Sequence, residues 1–280
     1  IGDEKEAFVH YLDLGLYFRS FDEFVKRVNQ NSDNKGIYKH IKPGPILEKE
    51  GRIENVLTPG QMVIVQIVKE PISTKGSRLT AEISLAGRNI VLLPFAEKVS
   101  VSQKIASKEE KRRLETLVKS ILPKNYGAII RTAAEGKNAA VLDAEVMSLV
   151  EKWENSWKKL AKSKDVQLLF TEYSKTTTIL RDLLNDSFSN IYVNDENIYE
   201  ETRKYISLIS PEQEKIVKLY KDKDPIFDHF EVTRQIKSSF GKVVPIKQGA
   251  YLVIEHTEAL HVIDVNSGIR SKNKEQEQNT

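Results

Sequence analysis

The stretch Tyr251-Leu-Val-Ile-Glu-His-Thr-Glu-Ala-Leu-His-Val-Ile-Asp-Val-Asn-Ser-Gly268 constrains the fold more than any other part of the chain. Two apolar runs flank a polar break at His256 and Thr257, the pattern of a two-stranded hairpin. Leu252, Val253 and Ile254 lead in; residues 259–265 return, and the strand ends on Asp264, Val265 and Asn266. A carboxylate where a buried strand gives out is a common way to hold a metal ion. The strand fixes the backbone, and the side chain emerges at the rim, within reach of water and substrate. Asp264 serves equally well as the start of a turn at Asn266-Ser267-Gly268. These residues alone leave both roles open.

The 280 residues are enough for two to four small domains. Hydrophobic residues make up 40% and charged residues 30%, the balance of a soluble globular chain. No apolar run approaches the roughly 20 residues of a membrane span, and no signal-peptide pattern precedes the first charges. The absence of cysteine excludes disulfides and cysteine-ligated zinc and fits a reducing cytoplasm. A net charge of +3 is too small to announce nucleic acid, so any basic surface must be local. Ile1-Gly2-Asp3 looks like the end of a strand and its turn, as if the chain were cut from something longer, and residues 270–280 read as a polar tail.

Residues 1–86 carry mostly strand signals. Residues 7–11 form a short strand, and Phe18, Phe21, Phe24, Val25 and Val28 have helical spacing. Residues 29–49 are a loop rich in Asn, Lys, Gly and Pro. Residues 61–68 form a strong strand, and residues 79–85 are its partner across a turn with Pro71 and Gly76. Short strands with a long polar loop suit a small Greek-key barrel of the OB type. Lys69 and Lys75 flank the hairpin turn, Arg78 lies just beyond, and Phe8 sits near the barrel face. Aromatic stacking beside cations is how such barrels hold single-stranded nucleic acid; Phe8 in the core, with solvated turn lysines, is the other reading.

Further on, residues 89–95 form a strand stopped by Pro94, and residues 107–121 a helix capped by Ser107. Residues 128–130 form a buried strand from whose end Arg131 and Thr132 emerge. Arginine offers a planar fork of donors for a phosphate, and a threonine hydroxyl adds another; an ordinary ion pair with an Asp or Glu is the competing role. A long helix follows, with Leu142, Val146, Leu149, Val150, Trp153, Trp157 and Leu160 on one face, so both tryptophans belong to the core. Residues 166–170 and 190–193 read as strands; residues 178–184, 196–206 and 227–240 read as helices, with Pro211 starting another and Phe230, Val232, Ile236 and Phe240 apolar in the last. Residues 243–246 add an edge strand, since Pro245 would block an interior one. Asp182, Asp186, Asp195 and Asp228 fall at caps and surface positions, and none is assigned to catalysis. The five histidines lack metal-ligand spacing, and His256 and His261 are structural.

Three motifs are specific. Thr80-Ala-Glu-Ile-Ser-Leu-Ala-Gly87 with Val91-Leu-Leu-Pro94, then Ile130-Arg-Thr-Ala-Ala-Glu-Gly136, then Thr257-Glu-Ala-Leu with Ile263-Asp-Val-Asn-Ser-Gly268, closely resemble the ribonuclease E/G family in order and spacing. The likeness runs from about Phe8 to Gly268 and is greater to the ribonuclease G branch, since nothing indicates a long disordered scaffold region. The resemblance implies an α+β multidomain mosaic: an OB-type β-barrel that binds RNA (residues 1–82), an α/β 5′-sensor (83–176), an RNase H-like subdomain (177–240) and the start of a DNase I-like α/β catalytic subdomain (241–280). The RNase H-like strands that precede the barrel in the family are expected to be missing.

Residue by residue, the resemblance matches Arg131 and Thr132 to the pair that grips a 5′-monophosphate and Val91 to a backbone contact there. Phe8, Lys69 and Lys75 match RNA contacts of the barrel. Asp264 matches the first of two catalytic aspartates that hold Mg²⁺, and Asn266 the neighbour that orients it. The activity implied is a magnesium-dependent endoribonuclease that cleaves single-stranded RNA, prefers 5′-monophosphorylated ends and serves rRNA processing and mRNA decay. It implies a cytoplasmic dimer or tetramer with no membrane span. The family's second metal-binding aspartate lies beyond the end of this sequence, so these residues alone are expected to be a poor nuclease or none. A non-catalytic RNA-binding module that recognises 5′-phosphorylated ends is the alternative.

Overall fold

The N-terminal strands are only two to four residues long. In the computed structural model, which describes residues 1–30, 38, 41–160, 165–172, 174–246 and 249–268, β1 (Phe8–Val9), β2 (Gln66–Lys69) and β3 (Arg78–Thr80) form a sheet of order β1-β3-β2. β1 runs parallel to β3 and β2 antiparallel to it, with an irregularity between Ile67 and Lys69. The strand expected over 61–68 is ladder-paired only from Gln66. Val63 and Val65 nevertheless pack against Leu14, Phe18, Leu47 and Ala81, so their apolar side chains build a small core without a ladder. The expected strand over 79–85 breaks after Thr80. The Thr80 hydroxyl donates to the Asp13 carbonyl at 2.7 Å and accepts from the Glu82 N–H at 3.1 Å, a local turn that competes with pairing. The loop expected over 29–49 lies partly outside the described residues; residues 41–49 are neither helix nor strand.

α1 (Phe18–Gln30) forms where its apolar spacing puts it, and Phe18, Phe21, Phe24, Val25 and Val28 are all buried. A second sheet follows: β4 (Leu85–Ala86), β5 (Ile90–Pro94), β6 (Val99–Val101) and β7 (Tyr126–Ile130), in the order β4-β5-β7-β6. β7 is antiparallel to β5 and parallel to β6. Its Gly127 is required by packing, since a Cβ there would lie 2.6 Å from the Lys98 carbonyl and 2.7 Å from the Ala96 side chain. α2 (Lys108–Ile121) starts at Ser107, whose Oγ accepts the Glu110 N–H at 3.2 Å. α3 (Ala139–Leu160) buries the whole predicted stripe, both tryptophans included. The Phe24 ring lies 5.8, 5.7, 6.0 and 5.7 Å from those of Tyr38, Phe95, Trp153 and Trp157. That aromatic cluster joins α1 and α3 to the sheet in one core. Emptying a position such as Trp153 would cost about 3–5 kcal/mol.

The strand expected over 166–170 does not form. Val166 and Leu168 are exposed, while Leu169 and Phe170 pack on the core. The segment has strand-like alternation but no partner in a ladder, and side-chain burial alone does not make a strand. α4 (Lys175–Leu183) follows, its first turn capped by Ser174. Ile1–Leu184 forms one compact unit, and a second lies within Asn185–Thr280.

In the second unit, β8 (Ile191–Val193) pairs in parallel with β9 (Val217–Leu219) through the crossover helix α5 (Glu196–Ile209). Asp195 caps α5, its Oδ1 accepting the Ile198 N–H at 2.9 Å, and Pro211 opens a 3₁₀ turn, Pro211–Ile216. The single helix expected over 227–240 is instead two: α6 (Ile226–His229) and α7 (Val232–Ser239). Glu231 between them is left-handed, with φ of 56°. The chain turns there and lays Phe230 on the Tyr192 ring at 4.7 Å, while Ile236 and Phe240 stay exposed. β10 (Val243–Pro245), β11 (Tyr251–His256) and β12 (His261–Asn266) form an antiparallel sheet in sequence order, with Pro245 on the edge strand. Among the described residues no helix is long and apolar enough to cross a membrane.

Candidate functional site

Three groups of predicted site residues fall in three places. On the first sheet, Arg78 of β3 is the register partner of both Phe8 on β1 and Lys69 on β2, so one row across the sheet reads Phe8–Arg78–Lys69. Phe8 is 47% exposed, which excludes the reading that buries it in the core. Lys69 and Lys75 are exposed too, and Lys75 closes the turn through a bridge to Ile72. Asp13 holds Arg78 with two bonds of 3.0 Å, from Nε to Oδ2 and from Nη2 to Oδ1. An exposed ring in one row with an exposed lysine and an Asp-paired arginine is chemically able to stack a base beside a phosphate.

The second group lies where β7 ends. Ile130 is the last buried residue of that strand, and Arg131 follows it into partial exposure. The Arg131 N–H donates to the Asn89 carbonyl at 2.8 Å, tying it to the turn between β4 and β5. Its guanidinium donates from Nη1 to the Gly87 carbonyl at 3.0 Å and from Nη2 to Asp182 Oδ1 at 2.6 Å. The ion-pair role open for Arg131 is thus present, and its partner is one of the aspartates expected at caps and surface positions. Asp182 also receives Arg181 Nε at 3.0 Å, and Arg181 Nη1 donates to the Ala86 carbonyl at 3.3 Å. Burial pushes the Asp182 pKa up, but the hydrogen bonds and charges of Arg181 and Arg131 together outweigh it and leave it lowered. The Thr132 hydroxyl lies 3.1 Å from that of Ser102 at the end of β6. Val91 is half-buried in β5 between Ala86 and Ile129.

Glu145 of α3 sits beneath the same turn. Its Oε1 and Oε2 accept the Asn89 N–H at 3.0 and 3.2 Å. Burial raises its pKa, against backbone N–H groups that favour the charged form. Arg131, Arg181, Asp182, Glu145 and Ser102 therefore all bear on the turn at residues 86–89 or its neighbours. Sequence reasoning found the first. It missed the others because 51 residues separate Arg131 from Asp182 and 56 separate Asn89 from Glu145. The one local signal was the Arg181-Asp182 pair itself, which no spacing rule marks.

The third group is in the second unit. Asp264 is among the last three residues of β12, opposite Val253, and the ladder ends on Asn266 as expected; the strand expected to be buried is instead exposed from His261 to Val265. The Asp264 side chain is exposed, and its Oδ2 accepts Asn266 Nδ2 at 3.0 Å. His256 and His261 face each other across the hairpin, Nδ1 to Nδ1 at 2.6 Å. Magnesium takes several oxygen ligands in near-octahedral geometry. Among the described residues no three Asp, Glu or His side chains converge on such a position. Asp264 and Asn266 offer one carboxylate oriented by one carboxamide, which falls short of a magnesium site on its own.

On its residues alone this is a mixed α+β chain in which Arg131 and Arg181 share the Asp182 carboxylate and the exposed Phe8 ring stands in register with Arg78 and Lys69. Comparison with known proteins narrows this. The model of the Ribonuclease E/G family matches residues 84–280. Ribonuclease G of Haemophilus influenzae is 33% identical over 268 residues, covering 96% of this chain and 51% of that protein. Ribonuclease G of Escherichia coli K12 is 35% identical over 216 residues, 77% of this chain and 44% of that protein. Ribonuclease E of Nostoc is 32% identical over 272 residues, 96% of this chain and 36% of that protein. The chain belongs to the ribonuclease E/G family. It spans about half the length, or less, of these curated relatives.

Proposed function

We propose that this chain is the RNA-engaging part of a ribonuclease E/G-type endoribonuclease. It takes single-stranded RNA along the Phe8–Arg78–Lys69 row, with Lys75 at the turn, and receives the RNA's 5′-monophosphate at Arg131 and Thr132 beside Val91. The observation that carries the reading is the end of β7: Arg131 is pinned to the Gly87 carbonyl at 3.0 Å and already holds an anionic oxygen at 2.6 Å. A guanidinium fork fixed by backbone is suited to a phosphate monoester, whose geometry it matches with paired donors. Thr132 and Ser102 hydroxyls stand next to it.

The four-part division at residues 82, 176 and 240 belongs to this proposal, as do roles in rRNA processing and mRNA decay, a cytoplasmic setting and assembly into a dimer or tetramer. Asp264 is proposed as one ligand of a magnesium ion, with Asn266 turning its carboxylate. Such an ion, when bound, activates water and polarises a phosphodiester; the chain's own contribution is to orient that carboxylate through Asn266 on a hydrogen-bonded strand.

The test is direct binding. Two 3′-labelled single-stranded oligoribonucleotides, identical except for a 5′-monophosphate or a 5′-hydroxyl, are titrated with the 280-residue chain and read by fluorescence anisotropy. The monophosphate is expected to bind at least about tenfold tighter, the value of one charge-assisted contact. Arg131→Ala should erase that difference while retaining affinity for the 5′-hydroxyl strand. Equal binding of the two strands by the wild-type chain refutes the phosphate site.

A further inference from the structure

Asp182 stands where an anion would sit. Its Oδ1 is shared by Arg131 Nη2 at 2.6 Å and Arg181 Nε at 3.0 Å, with Arg181 Nη2 a further 3.4 Å from Oδ2. Each arginine has a second anchor besides that carboxylate. Arg131 Nη1 is tied to the Gly87 carbonyl at 3.0 Å and Arg181 Nη1 to the Ala86 carbonyl at 3.3 Å, consecutive residues of one turn. Of the three side chains, Arg181 is 10% exposed, Arg131 28% and Asp182 38%, so the carboxylate is the freest to swing outward. Asp182 is the penultimate residue of α4. Two guanidiniums and one carboxylate leave a net charge of about +1, and a phosphate monoester carries about −1.5 to −2 near neutral pH. The monoester therefore balances the pair of arginines better than the resident carboxylate does.

We propose that Asp182 is a resident occupant of the 5′-phosphate site, which an incoming phosphate monoester displaces, and that Arg181 is the second arginine of the clamp. This rests on the reading of Arg131 as a phosphate ligand. Arg181 then determines specificity for a doubly charged end, because one guanidinium suffices for a single charge and two fit a dianion.

The experiment uses the same two oligoribonucleotides with the full chain and four variants. Asp182→Asn and Asp182→Ala are expected to tighten binding of the 5′-monophosphate strand by about three- to tenfold relative to the 5′-hydroxyl strand. The 5′-hydroxyl strand corrects for the added net positive charge, which acts on both. Arg181→Lys keeps the charge but loses the fork, so it should lower the monophosphate preference by about tenfold. Circular dichroism confirms that each variant is folded. Weaker or unchanged monophosphate preference in both Asp182 variants overturns the proposal and makes Asp182 an orienting partner of Arg131. Undiminished preference in Arg181→Lys overturns the two-arginine clamp. Arg131→Ala separates the levels: if it leaves the preference intact, the phosphate site itself is wrong; if it removes the preference while Asp182 and Arg181 changes do nothing, only the present inference fails.

Discussion

Gly87 shows why a motif residue can be recognisable before its reason is. A Cβ at this position would fall onto Glu145 Oε1 and lie 2.7 Å from the Ile90 carbonyl. The turn must therefore pass close over a buried carboxylate, and only glycine lets it. Gly87→Ala is expected to push Glu145 from beneath the Asn89 N–H and destabilise the first unit by about 1–3 kcal/mol, the usual range for overpacking. Because the Ala86 and Gly87 carbonyls anchor Arg181 and Arg131, the monophosphate preference should fall with it. An unchanged urea midpoint would refute this account. From the sequence, Arg131-Thr132 was legible as residue types suited to a phosphate, and Ala86-Gly87 only as part of a family motif. Their connection was not, since the partners Glu145 and Asp182 come from distant helices and carry no periodic signal. Asp264 shows the reverse: its type and its place near the end of β12 were legible, but the apolar pattern that suggested a buried strand lies exposed from His261 to Val265.

Among elements, helices were read more truly than strands. The stripes of α1 and α3 are period-3.6 patterns that tertiary packing completes, and both tryptophans are buried as their spacing requires. Strands need a partner that local sequence does not name, which is why residues 166–170 stay unpaired and Thr80 diverts its chain. The helix expected over 227–240 failed for a related reason, because a single left-handed residue, Glu231, redirects a continuous apolar pattern. α2 also acts beyond its own packing. Glu110 Oε1 accepts the Gly136 N–H at 2.8 Å, and Arg113 Nη2 reaches the Lys137 carbonyl at 3.0 Å. The helix thus staples the loop that follows Arg131-Thr132. The Arg113 side chain first, and the Gly136 N–H after it, lower the Glu110 pKa from its ordinary 4.5 to about 2. A depressed carboxylate pKa contributes stability that is fully present above the unfolded value and lost as pH falls through the folded one. The stability difference between the wild type and Glu110→Gln should therefore be constant above pH 4.5 and shrink as pH falls towards 2. Urea midpoints measured across that window check it, and a difference that does not vary with pH would count against the staple. At neutral pH the same substitution should speed amide exchange at Gly136.

For the whole molecule, the division of apolar burial between the two units sets the order of unfolding. Ile1–Leu184 holds the aromatic core around Phe24, Phe95, Trp153 and Trp157. In Asn185–Thr280 the buried apolar residues among those described are Val193, Tyr205, Ile206, Val217, Tyr220 and Ala250, while Phe227, Phe240, Ile263 and Val265 are exposed. Apolar burial is the main stabilising term, at about 25 cal/mol per Å², so the second unit is the weaker. The chain has two tryptophans, and both lie in the first unit. Tryptophan fluorescence is therefore blind to the second unit, while far-ultraviolet circular dichroism reports both. In a urea titration the dichroism signal should begin to fall at lower denaturant than the fluorescence signal, and the two curves should converge only as the aromatic core melts. Non-coincident probes are the mark of unfolding that is not two-state. Superimposable curves would mean that the two units unfold as one and would sink the prediction. A fluorescence change preceding the dichroism change would reverse the assigned order of stability.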